Sequence, residues 1–149
     1  SEMCIRDSVK GLLYMTKCAV AEMSKVNSGH IINIGSIAGT QAYVNGAVYC
    51  ATKAAVRFIS DALRQEVVDK NIKVTNIQPG MTETEFSNTR FHGDREKAKA
   101  VYEGIDALTA EDIADVIAYV VMTPPHVQIG ELTITPTHQA GPGSLHKKM

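Results

Sequence analysis

The sequence predicts an α/β layered fold around a parallel sheet, and three observations predict it. His30 to Ile34 (HIINI) is a short apolar run rich in β-branched residues, as in a buried strand, and Ile72 to Ile77 (IKVTNI) and Glu131 to Thr135 (ELTIT) read as two further strands. Segments with apolar residues at helical spacing separate them. Strand, helix and strand then follow one another at the lengths of a βαβ unit, which should be right-handed with parallel strands. The 149 residues are one domain's worth of chain, enough to bury about two-thirds of the unfolded surface.

The chain opens with Ser1 to Ser8 (SEMCIRDS), which resembles a translated sequencing adapter. Residues 1–8 are read as non-native, with native sequence expected from near Val9. From Val9 to about Asn27, the residues Leu12, Leu13, Met15, Ala19, Val20 and Met23 recur at helical spacing, and Asn27-Ser28-Gly29 ends that helix. The strand from His30 follows. Gly35-Ser36-Ile37-Ala38-Gly39 turns the chain, leaving Ser36 at the strand's C-terminal end, and a loop runs on to Asn45-Gly46. A long helix is predicted from about Ala47 to Asp69, with Ala51, Ala54, Ala55, Phe58, Ile59, Ala62, Leu63 and Val67 facing inward. After the strand from Ile72, Pro79-Gly80 breaks the chain.

Thr82 to Ser87 is expected as a short helix, and Asp94 to Glu103 as another inside a polar segment. Thr109-Ala-Glu-Asp112 resembles a capping box, and Glu111 and Asp112 suit the positive end of the helix it opens. The apolar face of that helix is Ile113, Val116, Ile117, Val120 and Val121, and Thr123-Pro124-Pro125 stops it. Beyond the last strand, the chain from Pro136 reads as loop, with 140–149 as a flexible tail. No internal repeat or linker is visible, so 9–139 is read as a single domain.

Composition narrows the function. With 15 basic and 16 acidic residues the net charge is −1, which gives no electrostatic case for a nucleic-acid or membrane-surface partner. No apolar run approaches the roughly 20 residues of a membrane span. The five histidines and the three cysteines, Cys4, Cys18 and Cys50, have no metal-ligand or redox spacing, so no metal site is expected. The thiols are read as reduced, in a cytoplasmic protein. Cys50 is expected to be a small buried hydrophobe.

Ligands of open parallel sheets bind outside the C-terminal ends of the strands. Ser36 and Pro79-Gly80 both lie at such ends, and Tyr49 opens the helix that follows one. Four positions separate Tyr49 from Lys53, so both lie on one helix face about a turn apart. A phenol with a pKa of about 10 is a poor proton carrier at neutral pH. A nearby ammonium and the positive end of a helix both favour the phenolate. The pair can therefore serve as a tuned general acid and base. Taken alone, Tyr and Lys at this spacing occur by chance on amphipathic helices; their convergence with Ser36 and the Pro-Gly turn on one rim is what gives them weight.

These residues also carry a resemblance. Asn33-Ile-Gly-Ser36, then Tyr49 thirteen positions on, then Lys53 and Ile77-Gln-Pro79-Gly80, resemble the short-chain dehydrogenase/reductase family from Val9 to about Gln139. Thr84-Glu-Phe-Ser-Asn-Thr-Arg-Phe-His-Gly-Asp94 resembles a segment of its NADP-dependent 3-hydroxy acid dehydrogenases, which act on serine, allo-threonine and related 3-hydroxy acids. The resemblance implies a Rossmann-type doubly wound sheet of strand order 3-2-1-4-5-6-7, of which this chain would supply the C-terminal half, strands 5, 6 and 7, with flanking helices. It implies Tyr49 as proton donor and acceptor, Lys53 as the group that lowers the Tyr49 pKa and bonds the nicotinamide ribose, and Ser36 as a hydrogen-bond partner of the substrate oxygen. Hydride transfer would be the chemistry of NADP, or of NAD as the less favoured choice. Pro79, Gly80, Met81, Thr82 and Thr84 would line the nicotinamide side. Arg90 would grip a substrate carboxylate by a bidentate pair, although a solvated loop arginine is as good a reading. The full-length protein would be a homodimer or homotetramer.

The departures are specific. The family's glycine-rich phosphate loop, its cofactor-selecting residues and its NNAG segment have no counterpart here. Its catalytic asparagine would fall on Ser8, the last adapter-like residue, so three of four catalytic residues carry over. The isolated piece would then expose an apolar strand edge. It is expected to aggregate or stay partly unfolded, to bind NADP weakly and to be inactive. Two other functions remain open: a sugar-nucleotide epimerase or dehydratase, which shares the Tyr-Lys spacing, and a non-catalytic cofactor-binding regulator. A serine hydrolase built on Ser36 would need a Gly where Ile34 stands.

Overall fold

The computed structural model describes residues 2–84 and 95–147. A continuous helical rod opens the chain: α1 (Glu2–Ile5), a π-helical stretch Arg6–Gly11 and α2 (Leu12–Val26). Asn27 ends the rod in the left-handed conformation, with φ 47°, and its N–H returns to Met23 and Ser24 carbonyls. Strand β1 (Gly29–Ile34) then leads to a 3-10 turn, Ile37–Gly39. Helix α3 (Ala47–Glu66) and strand β2 (Ile72–Pro79) follow. After α4 (Arg95–Tyr102) and α5 (Ala110–Val121) comes strand β3 (Glu131–Ile134). The three strands form one parallel sheet in the order β1-β2-β3, with Asn33 beside Asn76 and Pro79 beside Ile134. The α/β class and the parallel sheet expected from sequence are present.

The two faces of β2 meet different helices. Ile72 and Val74 pack with Ile31, Leu63 and Val67 into a buried cluster, against which Ala19, Val20 and Met23 of α2 lie. Each such aliphatic side chain contributes about 1.5–3 kcal/mol when fully buried. On the other face the Lys73 ammonium bonds the Thr123 carbonyl at 3.1 Å, tying the end of α5 to the sheet. Toward the C-terminal rim the α3 side turns polar. Asn33 Nδ2 donates to Ser60 Oγ at 2.8 Å, and Ser60 Oγ donates on to the Val56 carbonyl at 2.7 Å. Asn76 and Gln78 are fully buried in the same layer.

The helix start at Thr109 is a reciprocal capping box: its hydroxyl accepts from the Asp112 N–H, and the Asp112 carboxylate accepts from the Thr109 N–H at 2.8 Å. That backbone bond, with help from the Thr109 hydroxyl, holds the Asp112 carboxyl below its ordinary pKa. No helix among the described residues is long and apolar enough to cross a membrane.

Several expectations need correction. The inward face of α3 is Cys50, Thr52, Val56, Ser60 and Leu63, whereas Ala51, Phe58 and Ala62 point out, with Phe58 68% exposed. Periodicity located an apolar stripe, but the sheet-facing stripe is the one with small polar residues. Val121 also lies outside its helix's buried face. Strand β2 runs two residues beyond Ile77, so the chain breaks after Pro79 rather than before it. Residues 82–84 are not helical: Thr82 pairs with Leu108 in an isolated parallel bridge, and the rest of that expected helix lies outside the described residues. The loop expected from Pro136 contains a hairpin instead, β4 (Gln139–Gly141) paired with β5 (Ser144–Leu145). Its strands are too short to announce themselves by alternation.

Candidate active site

Ser36 comes first in building the site. The ladder between β1 and β2 runs one residue past the strand, with Gly35 N–H donating to the Ile77 carbonyl at 2.7 Å. Ser36 follows in extended conformation, and its Oγ accepts from the Ala38 N–H at 3.1 Å, capping the 3-10 turn. An oxygen that accepts here keeps its own O–H proton for donation into the cleft.

The turn is clamped onto α3. A Cβ on Gly39 would lie 2.7 Å from the Lys53 carbonyl oxygen and 2.9 Å from its carbon, so only glycine permits this approach. Gly39→Ala is expected to destabilise the fold by about 1–3 kcal/mol, because rigid backbone must give way. A denaturation midpoint unchanged from the parent would show that the turn lifts off the helix at little cost.

Helix α3 begins after Asn45, which is left-handed with φ 63°, and Gly46, on which the Tyr43 ring packs. The first helical hydrogen bond runs from Cys50 N–H to the Gly46 carbonyl at 2.8 Å, which puts Tyr49 in the first turn, at the positive end of the helix. Lys53 stands one turn later. Its ammonium donates to the Ile34 carbonyl at 3.1 Å and lies 5.9 Å from the centroid of the Tyr49 ring. That separation is within reach of a cation–π attraction. Cys50, between them in sequence, is buried as expected. A turn further on, Arg57 bonds Glu131 at 2.8 Å, and the guanidinium holds that carboxyl below its usual range.

The opposite wall is the turn after β2. Gly80 N–H donates to the Ile134 carbonyl at 2.7 Å, and Met81 N–H donates to Gln139 Oε1 at 2.7 Å. Leu108 N–H reaches the Met81 carbonyl at 2.9 Å, Glu83 N–H reaches the Leu108 carbonyl at 2.8 Å, and the Tyr102 hydroxyl donates to the Thr82 carbonyl at 3.0 Å. Three separate pieces of chain thus hold this turn.

Between the walls lies a cleft of about 440 Å³ at the C-terminal rim of the sheet. Ser36, Tyr49, Lys53, Pro79, Gly80, Met81, Thr82 and Thr84 all line it. Arg90 lies outside the described residues. Val101, Tyr102, Ala110 and Ile113 also line the cleft and were not singled out from sequence, nor was Gln139 behind it. No motif marks them; they arrive through tertiary packing. The arrangement offers a phenol, an ammonium and a hydroxyl on one side and a backbone-rich turn with two threonine hydroxyls on the other. A cleft of this size, mostly apolar with a few convergent polar groups, fits a small ligand or one end of a larger cofactor.

Comparison with known proteins gives the chain's relatives. The family model described as short chain dehydrogenase matches residues 1–95. The chain is 42% identical over 144 residues to an NADP-dependent 3-hydroxy acid dehydrogenase of Schizosaccharomyces pombe, covering 97% of this chain and 56% of the relative. It is 45% identical over 148 residues to the NADP-dependent 3-hydroxy acid dehydrogenase YdfG of Salmonella typhi, covering 98% of this chain and 60% of the relative. Among solved structures it superposes on the closed form of serine dehydrogenase complexed with NADP+ with a TM-score of 0.90 at 44% identity, covering 97% of this chain and 59% of the other. The chain therefore spans between half and two-thirds of the length of the proteins it resembles.

Proposed function

Because the chain belongs to the short chain dehydrogenase family, we propose that the protein it represents is an NADP-dependent oxidoreductase of small 3-hydroxy acids such as serine and allo-threonine. The observation that carries the reading is the meeting of Ser36, Tyr49, Lys53 and the turn 79–84 around one cleft. In oxidation the Tyr49 oxygen takes the proton of the substrate hydroxyl, and in reduction it returns it. The Lys53 ammonium favours the phenolate and bonds the nicotinamide ribose. The Ser36 hydroxyl donates to the same substrate oxygen and stabilises the charge that gathers there. Backbone groups of Pro79 to Met81, with Thr82 and Thr84, bound the nicotinamide side, and Arg90 holds the substrate carboxylate. When bound beside these groups, the nicotinamide would supply the hydride chemistry, NADP+ as acceptor in oxidation and NADPH as donor in reduction.

The chain is read as the C-terminal half of the Rossmann-type sheet, inactive by itself because it carries no glycine-rich phosphate loop. In the whole protein a homodimer or homotetramer is proposed. The outward apolar residues of α2 and α3, among them Tyr14, Met15 and Phe58, support it by offering a surface for a second copy. The free thiols Cys18 and Cys50 are in keeping with a cytoplasmic protein.

The test is NADP-linked oxidation of serine, allo-threonine and other 3-hydroxy acids by the whole protein, followed by nicotinamide absorbance. Turnover of these, with simple alcohols and sugar nucleotides much slower, is expected. Tight NADP binding without oxidation of any 3-hydroxy acid would defeat the substrate assignment, and turnover of a sugar nucleotide would favour the epimerase reading.

A further inference from the structure

We propose that the C-terminal hairpin is a latch for the cofactor-facing turn, with Gln139 as its positioning residue. The ladder between β2 and β3 ends where Gly80 N–H meets the Ile134 carbonyl at 2.7 Å. The next amide, Met81 N–H, has run out of strand. Gln139, only 6% exposed, supplies the missing acceptor, its Oε1 standing 2.7 Å from Met81 N. Burial makes this a demanding contact on both sides, since a buried amide oxygen and a buried N–H each need a partner.

Gly80 makes the contact possible. A Cβ there would collide with the same Gln139 oxygen and come within 3.0 Å of Thr135 Cγ2. The glycine of the Pro-Gly pair is thus matched to a side chain far along the chain. Its φ does not require glycine, so the constraint is one of space.

The hairpin is itself braced. Gln139 N–H donates to the Pro136 carbonyl at 3.0 Å, and His146 N–H donates to the His138 carbonyl at 2.9 Å. Gly141, buried on the same ribbon, lies against the side chain of Gln41, in the loop that follows Ser36. One ribbon therefore touches the chain behind both walls of the cleft. Leu108 and Tyr102 hold the turn by its carbonyls from the other side, so loss of Gln139 releases the Met81 amide in particular. The consequence for cofactor rests on the oxidoreductase reading; the latch itself does not.

Hydrogen exchange and NADPH affinity in the whole protein test it, using Gln139→Leu, Gln139→Glu, Gly80→Ala and the pair Gly80→Ala with Gln139→Ala. In Gln139→Leu, exchange at the Met81 amide should quicken by about tenfold or more, the loss of one buried hydrogen bond, while exchange at Val74 in the core stays as in the parent. The NADPH Kd should rise roughly five- to tenfold with kcat at saturating cofactor little changed, since Gln139 touches no reacting atom. Gln139→Glu keeps an acceptor oxygen at the same reach, so exchange at Met81 should stay slower than in Gln139→Leu even where the buried carboxylate lowers global stability. In Gly80→Ala, exchange at Met81 should also quicken, and it should quicken little further when Gly80→Ala is added to Gln139→Ala, where the colliding amide is gone and only the Thr135 methyl has to shift. Unchanged exchange at Met81 in Gln139→Leu overturns the latch, and faster exchange with unchanged NADPH affinity overturns its positioning role. Exchange is read without cofactor, so a parent that binds no NADPH sinks the oxidoreductase reading while the latch is still judged on Met81.

Discussion

Replacing Tyr49 by Phe in the whole protein is expected to lower kcat by about 10²- to 10⁴-fold, the usual worth of a positioned general acid or base, and to leave NADP affinity nearly unchanged. The substitution removes one oxygen and keeps the ring. The Lys53 ammonium, 5.9 Å from the ring centroid, keeps its neighbour and its bond to the Ile34 carbonyl. What disappears is the atom that would exchange a proton with the substrate. Stopped-flow turnover beside a fluorescence titration of NADPH separates the two effects. A phenylalanine variant with the parent's kcat would remove Tyr49 from the chemistry and leave only a packing role.

Lys53→Ala should do broader harm. The ammonium is assigned two tasks, so both turnover and cofactor affinity are expected to fall. A hydrogen bond to a charged group is worth about 1.5–3 kcal/mol, which is roughly 10- to 150-fold in Kd. If the ammonium favours the phenolate as proposed, the oxidation rate of Lys53→Ala should climb to its plateau at a higher pH than that of the parent, because the base then deprotonates later. Arginine is a poor substitute, being a planar fork where a point charge is needed. If Lys53→Ala lost turnover but bound NADP as the parent does, the ribose contact would be wrong while the electrostatic role stood.

The legible parts of this protein were those set by local spacing. The βαβ order fixed which strand ends share a rim, and four positions on a helix fixed the Tyr49–Lys53 relation. The roles of Ser36 and the Pro79 turn came through family resemblance, whereas their convergence on one rim was read from strand order and spacing, and both line the cleft. The inward face of α3 was read only in part: Leu63 and Val67 are buried as expected, but Ala51, Phe58 and Ala62 are not, for a physical reason. The helix has two stripes, and the more apolar one, with Ala51, Phe58 and Ala62, does not face the sheet. Periodicity measures contrast around a helix and carries no label for its partner. Gln139 was invisible for a different reason. It sits 58 positions from Met81, beyond a proline that reads as the end of structure, and a single glutamine has no period. Tyr102 reaches Thr82 in the same non-local way.

The buried Asn33–Ser60 bond has a consequence for how sharply the reactive groups are aimed. Oily side chains tolerate sliding, because contact is nearly as good half a turn along. A donor and acceptor locked in a dry layer do not, since slippage strands both. With Ser60 seven residues beyond Lys53 on the same helix and Asn33 three before Ser36 on the neighbouring strand, this one pin works like a vernier stop. It holds the rod carrying the phenol at a single axial setting against the strand end carrying the hydroxyl.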